Sequence, residues 1–314
     1  MGGIMSSNAT ENPFFANWTK VFVRYCDGSS FSSARIGPSN ASGVPLHYRG
    51  RANLAATLDT LALPEGRDRP GIGAATDVIL TGGSAGGLAV FLQLDYVASR
   101  LPAVPRVVGQ PDAGLFADLP NTKGTFAYRA SFQGADVPSM WNSTMGGGTN
   151  AACLASTAAQ DRWQCLMAQY VVPHLSVPIF VINAAIDVYQ MQNILQVGCV
   201  TKQCSSAQFT QIEAYRKDFL AHAVAPVRAV PGNGAWIDSC FMHEQNVYYC
   251  SGGEGPGGTA LNCMGWLREK VNGITPQMAF LRWYTDKAGS NHFTVDDESW
   301  PENPTCSWHF SEVL

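Results

Sequence analysis

The sequence predicts an α/β fold, a mostly parallel sheet flanked by helices, and three observations predict it. Short apolar, β-branched runs alternate along the 314 residues with longer stretches whose apolar positions recur at helical spacing. No repeat and no linker long enough to split the chain interrupts that alternation, so residues 1–314 read as one domain. The clearest run, Asp77-Val78-Ile79-Leu80, passes through a glycine-rich turn straight into a helical pattern.

Taken in order, residues 1–18 are polar and turn-rich. Val21-Phe22-Val23-Arg24-Tyr25 reads as a strand ended by Cys26-Asp27-Gly28-Ser29, and 29–47 as a Ser/Gly/Pro-rich loop. Arg51 to Leu63 carries Leu54, Ala55, Leu58 and Leu61 on one helical face. After the Asp77 strand, Leu88 to Ala98 reads as a helix and Arg106-Val107-Val108-Gly109 as a strand. An irregular stretch over 115–150 leads to a helical hairpin over 151–172 carrying Cys153 and Cys165. Pro178 to Asn183 is a strong strand signal. Gln208 to Ala223 is helical by period, through Phe209, Ile212, Tyr215, Phe219 and Leu220. Val227 to Val230 reads as a strand, Gly234 to His243 as a strand end with a loop, and 252–258 as a loop. Met264 to Val271 and Thr275 to Thr285 read as helices, the second with Pro276 in its first turn. Residues 288–314 are loop-rich.

Composition narrows the function classes. Charged residues make up 14% and hydrophobic ones 46%, which excludes a disordered chain. A net charge of −4 argues against nucleic acid as a partner, because phosphate binding needs a basic face. No apolar run approaches the length of a membrane span, so no membrane association is expected. Nine cysteines and four Asn-x-Ser/Thr acceptors, at Asn8, Asn17, Asn40 and Asn142, together favour an oxidising, secretory setting. No cysteine spacing makes a convincing zinc site, and Cys199 with Cys204 reads as a short disulfide loop. The start, Met1-Gly2-Gly3-Ile4-Met5, has no signal-peptide character and the cysteine count is odd. Both would follow from a missing amino-terminal part.

Gly82-x-Ser84-x-Gly86 sits between the Asp77 strand and the Leu88 helix. Strand, Gly-x-Ser-x-Gly and helix in that order form the nucleophile elbow of the α/β-hydrolases. A serine on so tight a turn takes a strained conformation and needs neighbours without bulk, which Gly82, Gly86 and Gly87 supply. The Ala85 amide, first in the helix, is then placed to donate to a developing oxyanion. The alternative is a passive serine in a glycine-rich turn.

A serine nucleophile needs a base and an acid to orient that base, and this architecture runs nucleophile, acid, histidine. Asp187, past the strongest strand after the elbow, is the favoured acid. Asp112 and Asp238 also follow strand patterns. Of six histidines, His47 precedes the serine, and His174 and His222 flank helix ends. His243, His292 and His309 follow Asp187; His243 and His292 are both candidates for the base on pattern alone.

Five ordered segments carry a family resemblance. Trp18 to Phe31, with Arg24-Tyr25-Cys26-Asp27-Gly28-Ser29-Ser30-Phe31, resembles a segment of plant-type pectin acetylesterases. Leu80-Thr81-Gly82-Gly83-Ser84-Ala85-Gly86-Gly87 resembles their nucleophile motif, with Gly83 where cysteine is common. Asp112-Ala113-Gly114, Ile182 to Gln190 and Ile237 to His243 resemble three more of their motifs. The family also includes the animal Wnt deacylase Notum. The resemblance reaches to about residue 285 and implies an α/β-hydrolase-like fold, secretion and disulfides. It implies Ser84 as nucleophile, Asp187 as acid and His243 as base, and leaves His292 a structural residue.

Family members carry a glycine-rich oxyanion segment upstream of any part present here, and Gly2-Gly3-Ile4-Met5-Ser6 resembles a later region. The expectation is therefore an α/β-hydrolase-like domain lacking an N-terminal portion, with Cys26 deprived of its partner. The implied activity is hydrolysis of acetyl esters of cell-wall pectin through an acetyl-Ser84 intermediate, by a secreted monomer with no metal or organic cofactor. Two rivals stand beside it. One is a Notum-like lipid deacylase. The other is a non-catalytic polysaccharide binder using exposed aromatics such as Trp141, Trp236 or Trp300.

Overall fold

Five strands carry the predicted alternation into one parallel sheet: β3 (Asp77–Gly83), β4 (Arg106–Asp112), β5 (Phe180–Ala184), β6 (Gly234–Asp238) and β7 (Phe293–Val295), in that spatial order. A separate antiparallel hairpin pairs β1 (Ser39–Ala41) with β2 (Val44–Leu46). The computed structural model describes residues 2–41, 43–64, 71–133, 142, 147–199, 203–246, 264–286, 291–301 and 303–306. Trp141, His309 and the 252–258 loop lie outside them.

The sheet is covered on both faces because its strands alternate. Val181 of β5 and Ala235 and Ile237 of β6 face one core, with Leu88, Phe91, Leu92 and Leu94 of helix α2 (Ala85–Arg100). Ile212, Tyr215 and Phe219 of α3 (Ser206–Phe219) pack into the same core. Phe180, Ile182 and Trp236 face the other way, onto Phe280 and Trp283 of α4 (Pro276–Thr285). Helix α1 (Gly50–Ala62) docks Leu54 and Leu58 against Val97, Leu101 and Val104 at the far end of α2. Helix starts are locally encoded. Ser205 and Gln208 form a reciprocal capping box at α3, and Thr275 caps α4 with Pro276 in its first turn.

Four expectations change. Val21 to Tyr25 forms no strand; the segment has no ladder partner among the described residues, and Phe22 is 62% exposed. Val227 to Val230 is not a strand either, because the helix starting at Ser206 runs on through a π turn over Leu220–Val224 to Ala229, with Pro226 in the first turn of its last piece. The strand of that unit is β6, and its neighbour β7 arises from a segment read as loop. Trp236 is fully buried and donates its indole N–H to the Ile274 carbonyl at 2.9 Å, and Trp300 is 5% exposed, so neither presents a ring for sugar stacking.

Three disulfides form among the described residues, Cys153–Cys165, Cys199–Cys204 and Cys240–Cys306. The second is the short loop expected from spacing. Cys26 is exposed and joins no disulfide among the described residues. No helix among the described residues is long and apolar enough to cross a membrane.

Candidate active site

The carboxyl ends of β3, β4, β5 and β6 meet at one edge of the sheet, and each delivers a polar residue there. At the end of β3, Ser84 has φ 53° and ψ −118°, a conformation that residues with a Cβ adopt only when the surroundings enforce it. Its amide donates to the Asp112 carbonyl at 2.9 Å, and its own carbonyl accepts from Leu88 N at 2.9 Å. The serine is thus pinned between strand β4 and the first turn of α2.

The glycines around it are required for different reasons. A Cβ on Gly82 would stand 2.5 Å from the Gly86 carbonyl oxygen, so the turn closes only over a glycine there. A Cβ on Gly86 would meet open space, so its own bulk is not the constraint the sequence suggests. A Cβ on Gly87 would lie 2.4 Å from the Asp112 carbonyl oxygen, the same oxygen that holds the Ser84 amide. Ala85 opens α2, so its amide is among those left without an intrahelical acceptor at the helix start.

Asp187 follows β5 and is 1% exposed in its side chain. Its Oδ1 accepts from the Gln190 amide at 2.9 Å, and Gln190 is in turn held by the Tyr215 hydroxyl at 2.8 Å. His243 follows β6 in a loop tethered by Cys240–Cys306, and its neighbour Met242 accepts from the Val188 amide at 3.0 Å. His243 Nδ1 lies 2.7 Å from Asp187 Oδ2, and Nε2 lies 2.8 Å from Ser84 Oγ. A proton on Nδ1 satisfies both bonds: Nδ1–H donates to the carboxylate and Nε2 accepts from the hydroxyl. Tyr189 stacks on the imidazole with ring centroids 5.8 Å apart.

The surroundings tune the imidazole. Burial pushes its pKa down, but the hydrogen bond and charge of Asp187, with the charges of Glu244 and Asp112, outweigh burial and raise it above its ordinary value. Asp112 is fully buried, and burial raises its carboxyl to about 7 against the opposing amides of Asn246 and Gln245. Those amides donate to its Oδ2 at 2.6 and 2.8 Å. Asp112 therefore holds Ser84 with its carbonyl and the loop after His243 with its carboxyl. As a candidate acid it faces the backbone of that loop, not the imidazole.

The other candidates sit apart. Asp238 is buried beneath the loop, bonded by Gln245 Nε2 and the Cys240 amide. His292 pairs with Asp286 at 3.0 Å, and its carbonyl begins the β6–β7 ladder by accepting from Ala235 N. His174 lies 3.5 Å from the Ser156 hydroxyl, while His47 and His222 are exposed. The Arg24 to Phe31 motif is architectural. Asp27 takes the hydroxyls of Ser29, at 2.5 Å, and Ser33, and Ser33 Oγ accepts from Gly50 N at the start of α1. Sequence reasoning missed the anchoring role of Asp112 and the position of Glu244, whose Oε1 would lie 2.5 Å from a Cβ on Gly83. Among the described residues no cluster of His, Cys, Asp and Glu is spaced to hold a metal ion.

Known proteins share both the sequence and the fold. The family model "Pectinacetylesterase" matches residues 1–307. "Pectin acetylesterase 11" of Arabidopsis thaliana is 32% identical over 97% of this chain and 73% of its own length. "Palmitoleoyl-protein carboxylesterase NOTUM" of Homo sapiens is 29% identical over 60% of this chain and 37% of its own length. The solved structure of the Wnt deacylase Notum from Drosophila superimposes with a TM-score of 0.73, covering 96% of this chain and 77% of that one at 22% identity, and establishes the fold as α/β-hydrolase-like. The chain is a carboxylic ester hydrolase, and it belongs to the pectinacetylesterase family.

Proposed function

We propose that this chain removes acetyl groups from acetylated pectin, with Ser84 as nucleophile, His243 as general base and Asp187 orienting the base. The observation that carries the reading is the continuous relay Ser84 Oγ, His243 Nε2, His243 Nδ1 and Asp187 Oδ2, with links of 2.8 and 2.7 Å. His243 takes the Ser84 proton as Oγ attacks the acetyl carbonyl. The imidazolium that forms is stabilised by Asp187, whose own bond to the Gln190 amide keeps it in place. Charge develops on the acetyl oxygen, and the Ala85 amide at the head of α2 supports a role as an oxyanion donor. His243 then returns the proton to the departing sugar hydroxyl, leaving acetyl-Ser84. Water activated by His243 attacks that ester and releases acetate. The three disulfides support work outside the cell.

Acetate release from acetylated pectin by the chain and by Ser84→Ala tests the reading. Release by the first and silence from the second is the expected result. Equal release from both overturns Ser84 as nucleophile. A folded chain that cleaves long-chain acyl esters and leaves acetylated pectin untouched overturns the substrate.

A further inference from the structure

Gly83, immediately before the nucleophile, is not among the residues with positive φ, so the backbone does not demand glycine there. Space does. A Cβ at this position would lie 2.5 Å from Glu244 Oε1, 2.9 Å from its Cδ and 3.4 Å from its Cγ. The Glu244 carboxyl thus occupies the place a side chain at position 83 would take. It stands at the end of the nucleophile strand, one residue beyond the base, and is only partly buried. The charged groups acting on it are Asp112 from the end of β4, Asp187 from the loop after β5 and His243 from its own loop, while Gly83 at the end of β3 brings none. Of these groups Asp112 and Asp187 are buried, while Glu244 and His243 are partly exposed, so Glu244 is the carboxyl beside Ser84 that solvent reaches.

We propose that Glu244 is a specificity-determining residue that makes Ser84 sensitive to substrate charge. An anionic group beside the scissile ester is admitted while Glu244 carries its proton and is opposed once Glu244 is ionised. Burial first, then the charge of Asp112, raises this carboxyl to about 8, with His243 pulling it down and Asp187 pushing it further up. In acid and neutral solution the site accepts acetylated uronate chains as well as neutral acetylated sugars. Above that range it favours the neutral ones. The inference rests on Ser84 being the nucleophile and deepens the reading of its substrate.

The test compares second-order rates of Ser84 labelling by two fluorophosphonates, one neutral and one carrying a carboxylate, at pH 6 and pH 9.5. In the native chain the neutral-to-anionic rate ratio is expected to rise about tenfold with pH, the size of one like-charge contact at the protein surface. In Glu244→Gln, which keeps the volume, and in Glu244→Ala, the ratio is expected to stay flat. A flat ratio in the native chain overturns the proposal. So does a rise that survives in both variants, which would assign the effect to Asp112. Failure of the pectin reading registers separately, as normal charge-dependent labelling with no acetate release from acetylated pectin. Absence of labelling by the neutral probe overturns both.

Discussion

Gly87 and Gly114 lie back to back: a Cβ on Gly114 would come 2.2 Å from the Gly87 carbonyl carbon, and one on Gly87 would come 2.9 Å from Gly114 Cα. The first turn of α2 can approach the end of β4 only because neither residue has a side chain. Both obstacles are backbone atoms, which cannot swing aside. Gly114→Ala is therefore expected to destabilise the fold by about 1–3 kcal/mol, the usual scale for overpacking. It is also expected to lower kcat, because the same contact seats the Ser84 amide on Asp112. Denaturant midpoints and acetate-release kinetics check the two effects together.

Asp187→Asn keeps the shape of the acid but favours the wrong imidazole tautomer. A loss in kcat on the order of 10⁴-fold is expected, with little change in KM. A loss below tenfold would remove Asp187 from the relay. His292→Ala, which breaks the half-buried pair with Asp286, is expected to leave kcat within a factor of about three, because the pair lies away from the relay.

Acetate release is expected to rise with pH as His243 loses its proton. Its pKa is raised, so the half-maximal point of kcat/KM falls above the ordinary histidine value of about 6.5. Asp187→Asn removes the hydrogen bond and charge that do the raising, so in that variant the residual activity is expected to titrate lower. A pH profile of kcat/KM in both proteins decides the point.

Stability runs the other way. Asp112, Asp238 and Glu244 all have raised carboxyl pKa values, chiefly through burial, and His243 is raised as well. Over this range the folded state binds more protons than the unfolded chain. Their contribution is complete below the unfolded carboxylate value and is lost as pH rises through the folded values of about 7 for Asp112 and about 8 for Glu244. Asp77 and Glu213 are lowered and act only on the acid side of the window. The unfolding free energy is expected to fall between pH 5 and pH 8 by about 1 kcal/mol or more per pH unit, and the melting temperature with it. Asp238→Asn is expected to flatten it. Calorimetry across that range reads the sign directly.

The Cys240–Cys306 bridge closes a loop of 66 residues in sequence separation around the arm that carries His243. Replacing both cysteines with alanine is expected to cost about 2–5 kcal/mol. It is also expected to reduce kcat more than loss of Cys199–Cys204, which spans only 5 residues away from the relay. Thermal melts and kinetics of the two double variants rank them.

What was legible in the sequence and what was not divide along physical lines. The elbow was legible because its demands are local: Ser84 in a strained turn, Gly82 against Gly86, and a helix starting at Ala85. Strands β3, β4 and β5 were legible from short apolar, β-branched runs, Val78-Ile79-Leu80, Val107-Val108 and Phe180-Val181-Ile182, although only β5 is buried along its whole length and β3, at the sheet edge, is half-buried. Strand β7 was not, because Phe293–Val295 is three residues long and owes its conformation to β6. Val21 to Tyr25 shows the reverse case, a β-prone run whose propensity finds no ladder partner among the described residues. Local pattern left His243 and His292 alike as bases. A base is defined by where its ring nitrogens point, and that depends on Asp187, fifty-six positions away.

Asp112 gives its carbonyl to Ser84 and its carboxyl to the loop after His243. For anyone recombining relatives of this chain, it acts as a rivet shared by two parts usually treated as separate cassettes. A chimera that exchanges the His243 loop while keeping a foreign β4 would separate the rivet from one of its plates. Crossover points for such libraries belong outside the span from Ser84 to Asn246, so that both halves of the relay are inherited together.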